Sequence, residues 1–290
     1  MNDIYARVAE EVRATDKDRY LAGLFAPSAA RPHLYALTAF SGEIARVRDR
    51  VSDPLPGEVR LQWWHDLLEG TARGEAGAHP VAAALLDTVE RFRLPRAALT
   101  RLIEARSFDL YDDPMPTLND LEGYAGETAS ALIQLSAIVL AGGRDPGTAE
   151  AAGHAGVAYA ITGLLRAVGF HAARGQVYVP ADVLDRYGAQ RADVLAGRST
   201  PAILAALTEM RGHARKHLAR TRALMPSVPV ETGPAFLAVA LVEPYLARME
   251  KLGGDPFRTV VDLPGWQKQL ILWRAARQAR RRARVAGKAA

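Results

Sequence analysis

The chain has 290 residues, 49% hydrophobic and 24% charged, and its 37 basic against 32 acidic side chains leave a net charge of +5. With no cysteine, it can form no disulfide, thiolate zinc site or cysteine nucleophile. The composition is that of a globular protein with a substantial core, and the length allows one large domain or two ordinary ones.

The opening MNDIYARVAEEVRATDKDRY is charged throughout and has no apolar run, so no secretory signal is expected. Asp3 is placed to cap a first helix through about Ala14. Pro32 opens a second, with Leu34, Leu37, Phe40, Ile44 and Val47 at spacings of three and four, and Pro54, Pro56 and Gly57 are expected to break it. The next helix carries Val59, Trp63, Leu67 and Leu68 and ends at Gly70 or Gly74. Pro80 and Pro95 each begin a further helix. Thr117 to Asp120 form a capping-box-like start to a helix running towards Gly142. Its stretch Ala129 to Gly142 is the most apolar of the chain, yet too short to span a bilayer. Thr148 to about Ala172 is predicted as one long apolar helix, followed by an extended Gln176 to Pro180. Helices over 202–224, 234–252 and 263–285 complete the series.

Neither alternating strands nor Asn-Gly hairpin turns interrupt this pattern, and no repeat marks a boundary. The expectation is an all-α fold, one helical domain over residues 1–273 with a basic tail over 274–290. Arg274, Arg277, Arg280, Arg281, Arg282, Arg284 and Lys288 stand in that tail with no acid among them. Such a block suits anionic lipid or an acidic partner, or else a solvated helix end. Without a recognisable reading module, specific nucleic-acid binding is not expected.

Specific motifs carry a resemblance. Gly156, Ala158, Arg166, Val168, Arg174, Gly175, Tyr178 and Pro180 fall in register with G-x-A-x-Q-L-x-N-I-x-R-D-V-x-E-D followed by a basic residue, glycine and Y-x-P. Tyr35 and Phe40 anchor a second segment on F-x-R-x-x-D-D-x-x-D. Trp63-Trp64, His79-Pro80-Val81, Leu102 to Leu110 and Leu184 to Gly188 match further landmarks. Over roughly residues 20 to 245 the chain thus resembles the squalene/phytoene synthase family. That resemblance implies an isoprenoid-synthase-type helical bundle around a central cavity.

It also implies that the metal-binding carboxylates are missing. The family's aspartates fall on Ala45, Arg46, Ala167 and His171, its glutamate on Phe170, and its first-motif arginine on Gly42; only Asp49 remains. A rival register reads Arg46 to Asp53 as R-x-x-D-x-x-x-D, and residues four apart share a helix face, so Asp49 and Asp53 could point together. The prolines that follow and Arg46, Arg48 and Arg50 alongside favour a solvated helix end instead.

The first reading is therefore a non-catalytic family member without a cofactor. It would act in the cytoplasm or at the inner membrane face, with an apolar cavity lined by Leu164, Leu165, Val168 and the Ala129–Leu140 helix. Arg46, Arg166, Arg174 and Tyr178 are its candidate ligand- or anion-binding residues, with surface pairing as the plainer role of Arg166 and Arg174. The alternative is a magnesium-dependent head-to-head prenyltransferase using Asp49, Asp53, Asp109 and Tyr124, with Asp49 and Asp53 on the metal. Ala39-Phe40 with Glu43-Ile44-Ala45 and Val47, and Arg60 to Trp64, resemble an aspartate-poor branch that includes a mitochondrial complex I assembly factor. The partners this implies are respiratory-complex subunits or an isoprenoid or lipid ligand.

Overall fold

The computed structural model describes residues 1–72 and 78–289, the side chains of residue 2 and of residues 282–289 excepted. Gly74, one of the two predicted helix ends, and Ala290 lie outside the described residues, as do the side chains of Arg282, Arg284 and Lys288. Among the described residues there is no strand. The helices are α1 (Asn2–Thr15), α2 (Lys17–Gly23), α3 (Arg31–Ala45), α4 (Pro54–Glu69), α5 (Pro80–Phe92) and α6 (Arg96–Ser107). They continue with α7 (Leu118–Ala125), α8 (Ala131–Leu140), α9 (Ala149–Arg166), α10 (Val168–Ala172), α11 (Ala181–Arg186) and α12 (Arg191–Leu195). The last are α13 (Pro201–Leu224), α14 (Gly233–Phe236), α15 (Val242–Leu252) and α16 (Gly265–Ala289).

Several predicted boundaries move, each for a local reason. Asp3 lies inside the first turn of α1, where its charge suits the helix dipole, and Met1 holds the cap position. Pro54 does not end a helix; it begins α4, because a proline at the first helical position forfeits no hydrogen bond. Gly70 closes α4 in the left-handed conformation at φ 78°, which glycine adopts freely. Thr117 and Asp120 do form a reciprocal capping box at the start of α7. The helix beyond it is not uniform, since a π turn over Gly126–Ser130 separates α7 from α8. The predicted 148–172 helix breaks at Ala167 into α9 and α10. The 234–252 helix is likewise divided, by a 3₁₀ stretch over Leu237–Leu241. Residues 176–180 are extended and pair with no neighbour as a strand.

α9 lies at the centre and packs along α13, α8 and the π turn. Gly156 permits the closest crossing: a Cβ there would sit 2.2 to 2.3 Å from Ser130 atoms, so only glycine lets α9 approach the π turn. Ser130 answers by donating its hydroxyl to the Gly153 carbonyl at 2.8 Å. One apolar cluster joins α7, α9 and α13; a second joins α1, α3, α4, α5, α6 and α8. A third seats α16 on α2 and the 237–245 segment. α16 runs unbroken through Trp273 and Arg274, so the tail boundary drawn from sequence falls inside a continuous helix. No described helix is long and apolar enough to cross a membrane.

A buried ion network fixes α16. Lys268, 4% exposed, sets its ammonium 2.8 Å from Asp18 on α2 and 2.8 Å from Asp262. Tyr245 donates to Asp18 at 2.7 Å and to Asp262 at 3.2 Å, and the Arg166 guanidinium lies 3.7 Å from the centre of the Tyr245 ring. Burial would discharge Lys268, but the two carboxylates outweigh it and raise its pKa. Removing one partner strands a buried charge, so Lys268→Met is expected to cost about 3 kcal/mol in urea unfolding. A loss below about 1 kcal/mol would mean that apolar packing alone seats the helix.

Candidate functional site

The two walls named by the sequence motifs are the C-terminal end of α3 with the turn after it, and α9–α10. Ala45 is the last residue of α3 and Arg46 its C-cap, while Arg48–Arg50 form a 3₁₀ turn. Val51 is extended and Asp53 is the N-cap of α4, so Asp49 and Asp53 do not share one helix face. Asp53 is exposed and accepts from Ser52 at 3.0 Å. Asp49 lies 3.5 Å from Arg174, which follows α10 and stacks on the Phe170 ring at 3.6 Å. That ion pair joins the two walls directly. Arg48 reaches Asp112 at 3.2 Å, and Arg191 donates to the Asp112 and Gly175 carbonyls.

Arg46 is held inward. Its guanidinium bridges Glu11 at 2.7 Å and Glu43 at 2.9 Å, and Arg50 binds Glu43 at 2.6 and 3.0 Å. Gly42 makes the space: a Cβ there would meet Arg46 Nη1 at 3.1 Å. The Arg46 side chain thus folds back over Gly42, the position on which the resemblance placed the family arginine. Burial would raise the Glu43 pKa, but Arg50 and Arg46 prevail and hold it at about 2. Glu11 is pushed up by burial and by Glu43 beside it. Glu43 is the acceptor that the sequence reading missed as a site residue. Its spacing of three from Arg46 and seven from Arg50 was the available signal.

Deeper in, Asp109 is 6% exposed. Tyr124 donates to both its oxygens at 2.9 and 3.0 Å, Tyr178 donates to Oδ1 at 2.6 Å, and Arg106 donates to Oδ2 at 2.9 Å. Gln176 donates to the Asp109 carbonyl at 2.8 Å. Tyr124 is aimed by the last turn of α7 before the π turn, and Tyr178 by the extended 176–180 segment. Burial drives both phenols well above their ordinary pKa, so both remain donors. Burial alone would lower Arg106, but the Asp109 carboxylate it binds outweighs that and keeps it charged. His171 stacks edge-on against Tyr178, and burial lowers its pKa. The structure thus brings Asp109, Tyr124 and Tyr178 together. It joins Asp49 to Arg174 separately, leaves Asp53 outside, and commits Arg166 to Asp18, Asp262 and the Val261 carbonyl.

A magnesium–diphosphate centre needs several hard oxygen ligands free to converge. Among the described residues no three His, Asp or Glu side chains could hold a metal. Ala45 and Ala167 offer no donor, Arg46 brings a like charge, Asp49 faces Arg174, and Glu43 and Asp109 already accept from arginine or tyrosine. The residues do not fit that ion. Leu164, Leu165 and Val168 do line an apolar cavity with His171, Gln176 and Tyr178, but it measures only about 20 Å³. Leu132 and Ile133 line a second, of about 40 Å³, beside Tyr159 and Tyr35. Sites for drug-sized ligands enclose roughly 300–1,000 Å³, well above both; a cavity of about 400 Å³ opens on the other side of Leu165, lined by Leu207, Arg211, Met249 and Val261.

The squalene/phytoene synthase family model matches residues 12–274. Complex I assembly factor 6 of Rattus norvegicus is 32% identical over 255 residues, 88% of this chain and 76% of the relative. The phytoene synthase of Thermus thermophilus is 30% identical over 278 residues, 93% of this chain and 91% of the relative. A dehydrosqualene synthase crystallised with a ligand superposes with a TM-score of 0.81 at 18% identity, covering 96% of this chain and 97% of that one, a likeness of fold.

The depressed Glu43 pKa fixes a pH dependence. Its contribution to stability is complete above the ordinary value of 4.5 and is lost as pH falls towards 2. Acid unfolding of Glu43→Gln is expected to show a shallower fall in stability across that window than the parent. Superimposable curves would mean that Arg46 and Arg50 do not hold Glu43 in the folded state.

Proposed function

From the premise that the chain belongs to the squalene/phytoene synthase family, we propose that it is a non-catalytic member that assists the assembly of respiratory complex I. The observation that carries the reading is the internal neutralisation of both walls. Arg46 and Arg50 occupy Glu43, Arg174 meets Asp49, and Arg106 with two tyrosines saturates Asp109. A pyrophosphate leaving group needs several positive charges delivered to its oxygens in the transition state. Here Arg46, Arg50, Arg106 and Arg174 are engaged by carboxylates of the same chain, so neither partner is free to meet a metal-bound diphosphate.

The relatives support the same direction. Assembly factor 6 sequences from Rattus norvegicus match at higher identity than the Thermus thermophilus phytoene synthase, although the latter is covered more fully. The partners would be complex I subunits or intermediates, met in the cytoplasm. Such partners would read the outer surface of the bundle, while the inherited core serves as a rigid frame.

Two measurements test this. Purified protein given farnesyl or geranylgeranyl diphosphate with magnesium is expected to release no diphosphate above a heat-killed control; release above it restores the prenyltransferase reading. Deleting the gene in its host is expected to lower NADH:ubiquinone oxidoreductase activity and the amount of assembled complex on native gels, with recovery on re-expression. Unchanged complex I in the deletion strain would remove the assembly role.

A further inference from the structure

α16 has two faces of different chemistry. Lys268, Leu272 and Ala276, spaced by four, are buried against α2 and the 237–245 segment. Trp266, Trp273 and Arg280, spaced by seven, fall on the other face, where seven residues make almost two full turns. Trp266 is 65% exposed and Trp273 47% exposed, whereas the chain's other two tryptophans pack against each other and His79. Arg277 lies 5.2 Å over the Trp273 ring, and Arg274, Arg277, Arg280 and Arg281 are all exposed. From Gly265 to Ala289 there is no acidic residue.

Two large indoles left in water on one helix face, flanked by four exposed arginines, are unfavourable unless something covers them. Indole is amphipathic and settles at the headgroup level of a bilayer, and arginine is drawn to anionic lipid. A helix lying in the plane of the interface combines these features: an aromatic stripe to insert and basic side chains to meet the headgroups. We propose that the Trp266–Trp273–Arg277–Arg280 face of α16 docks this protein on an anionic lipid bilayer surface. The charge decides between occupants. A protein partner could cover the indoles, but four cations without one interspersed acid match a surface that is uniformly negative. The inference does not depend on the assembly role and can fail separately from it.

The test is flotation of the full-length protein with vesicles of equal parts phosphatidylcholine and phosphatidylglycerol at low salt. The protein is expected to float with these vesicles, to float less as salt is raised, and to stay behind with phosphatidylcholine alone. Tryptophan emission is expected to shift to the blue and to be quenched by brominated lipid. Trp266→Ala/Trp273→Ala should lose the quenching and most of the binding. Arg277→Gln/Arg280→Gln should weaken partitioning by roughly 5-fold for each charge removed. All four positions are exposed, so both double variants should keep the parent's circular dichroism and melting. Protein that never floats with anionic vesicles overturns the proposal and leaves the face to a protein partner. Flotation that both double variants retain in full overturns it as well, since another part of the molecule would then be responsible.

Discussion

A carboxylate inside a helical bundle has to be satisfied, and what satisfies it decides what the bundle can do. In this chain the task falls to arginine, lysine and tyrosine from the same polypeptide. Glu43 takes Arg46 and Arg50, Asp109 takes Arg106, Tyr124 and Tyr178, and Asp18 takes Lys268, Arg166 and Tyr245. Each of these acids is less than a tenth exposed. Isolated ions so placed would be costly, and pairing with several donors at hydrogen-bond distance offsets that cost. The same contacts tie α2, α3 and the α6 end to distant parts of the chain, so the buried acids help to hold the bundle together.

Positions 42 and 46 act together. An arginine at the C-cap of α3 reaches back over the last turn, and the missing side chain at residue 42 leaves it room. Once there, it meets Glu43 three residues before it and Glu11 from α1. The opposite wall changes in parallel. Ala167 ends α9, and α10 begins at once, turning Phe170 outward to lie under Arg174. Arg174 then reaches Asp49 across the gap. This exposed pair adds little energy by itself, yet it ties the turn after α3 to the chain just beyond α10.

Much of the architecture was legible in the sequence because it rests on periodicity and on strong local signals. The helical period of Leu34, Leu37, Phe40 and Ile44 and the Thr117–Asp120 capping box both appear as read. What was illegible depends on contacts between distant segments. α2 carries only seven residues and one buried leucine, too short a pattern to stand out, yet its Asp18 anchors α16. The π turn arises where α9 crosses at Gly156, a long-range approach that no window of sequence contains. Asp109 stands two residues before the exposed Tyr111, Asp112 and Asp113, and nothing local marks it as buried. Its burial is set by Tyr178, sixty-nine positions away. Arg166 aligned with a motif position, but whether it faced the cavity depended on Asp18 and Asp262, neither of which the motif includes.

The Asp18 network also gives α16 a fixed orientation. A surface helix held only by Leu272 and Ala276 could roll by part of a turn at small cost, because apolar contact is not directional. Lys268 removes that freedom: its ammonium must meet two carboxylates at once, one on α2 and one just ahead of the helix. With that side pinned, Trp266 and Trp273 have one direction in which to point, away from the core. The buried charges therefore act at both ends of the molecule's logic. In the centre they hold Arg46, Arg50 and Arg106 on carboxylates of the same chain, and at the C-terminal helix they present an aromatic and basic face outward.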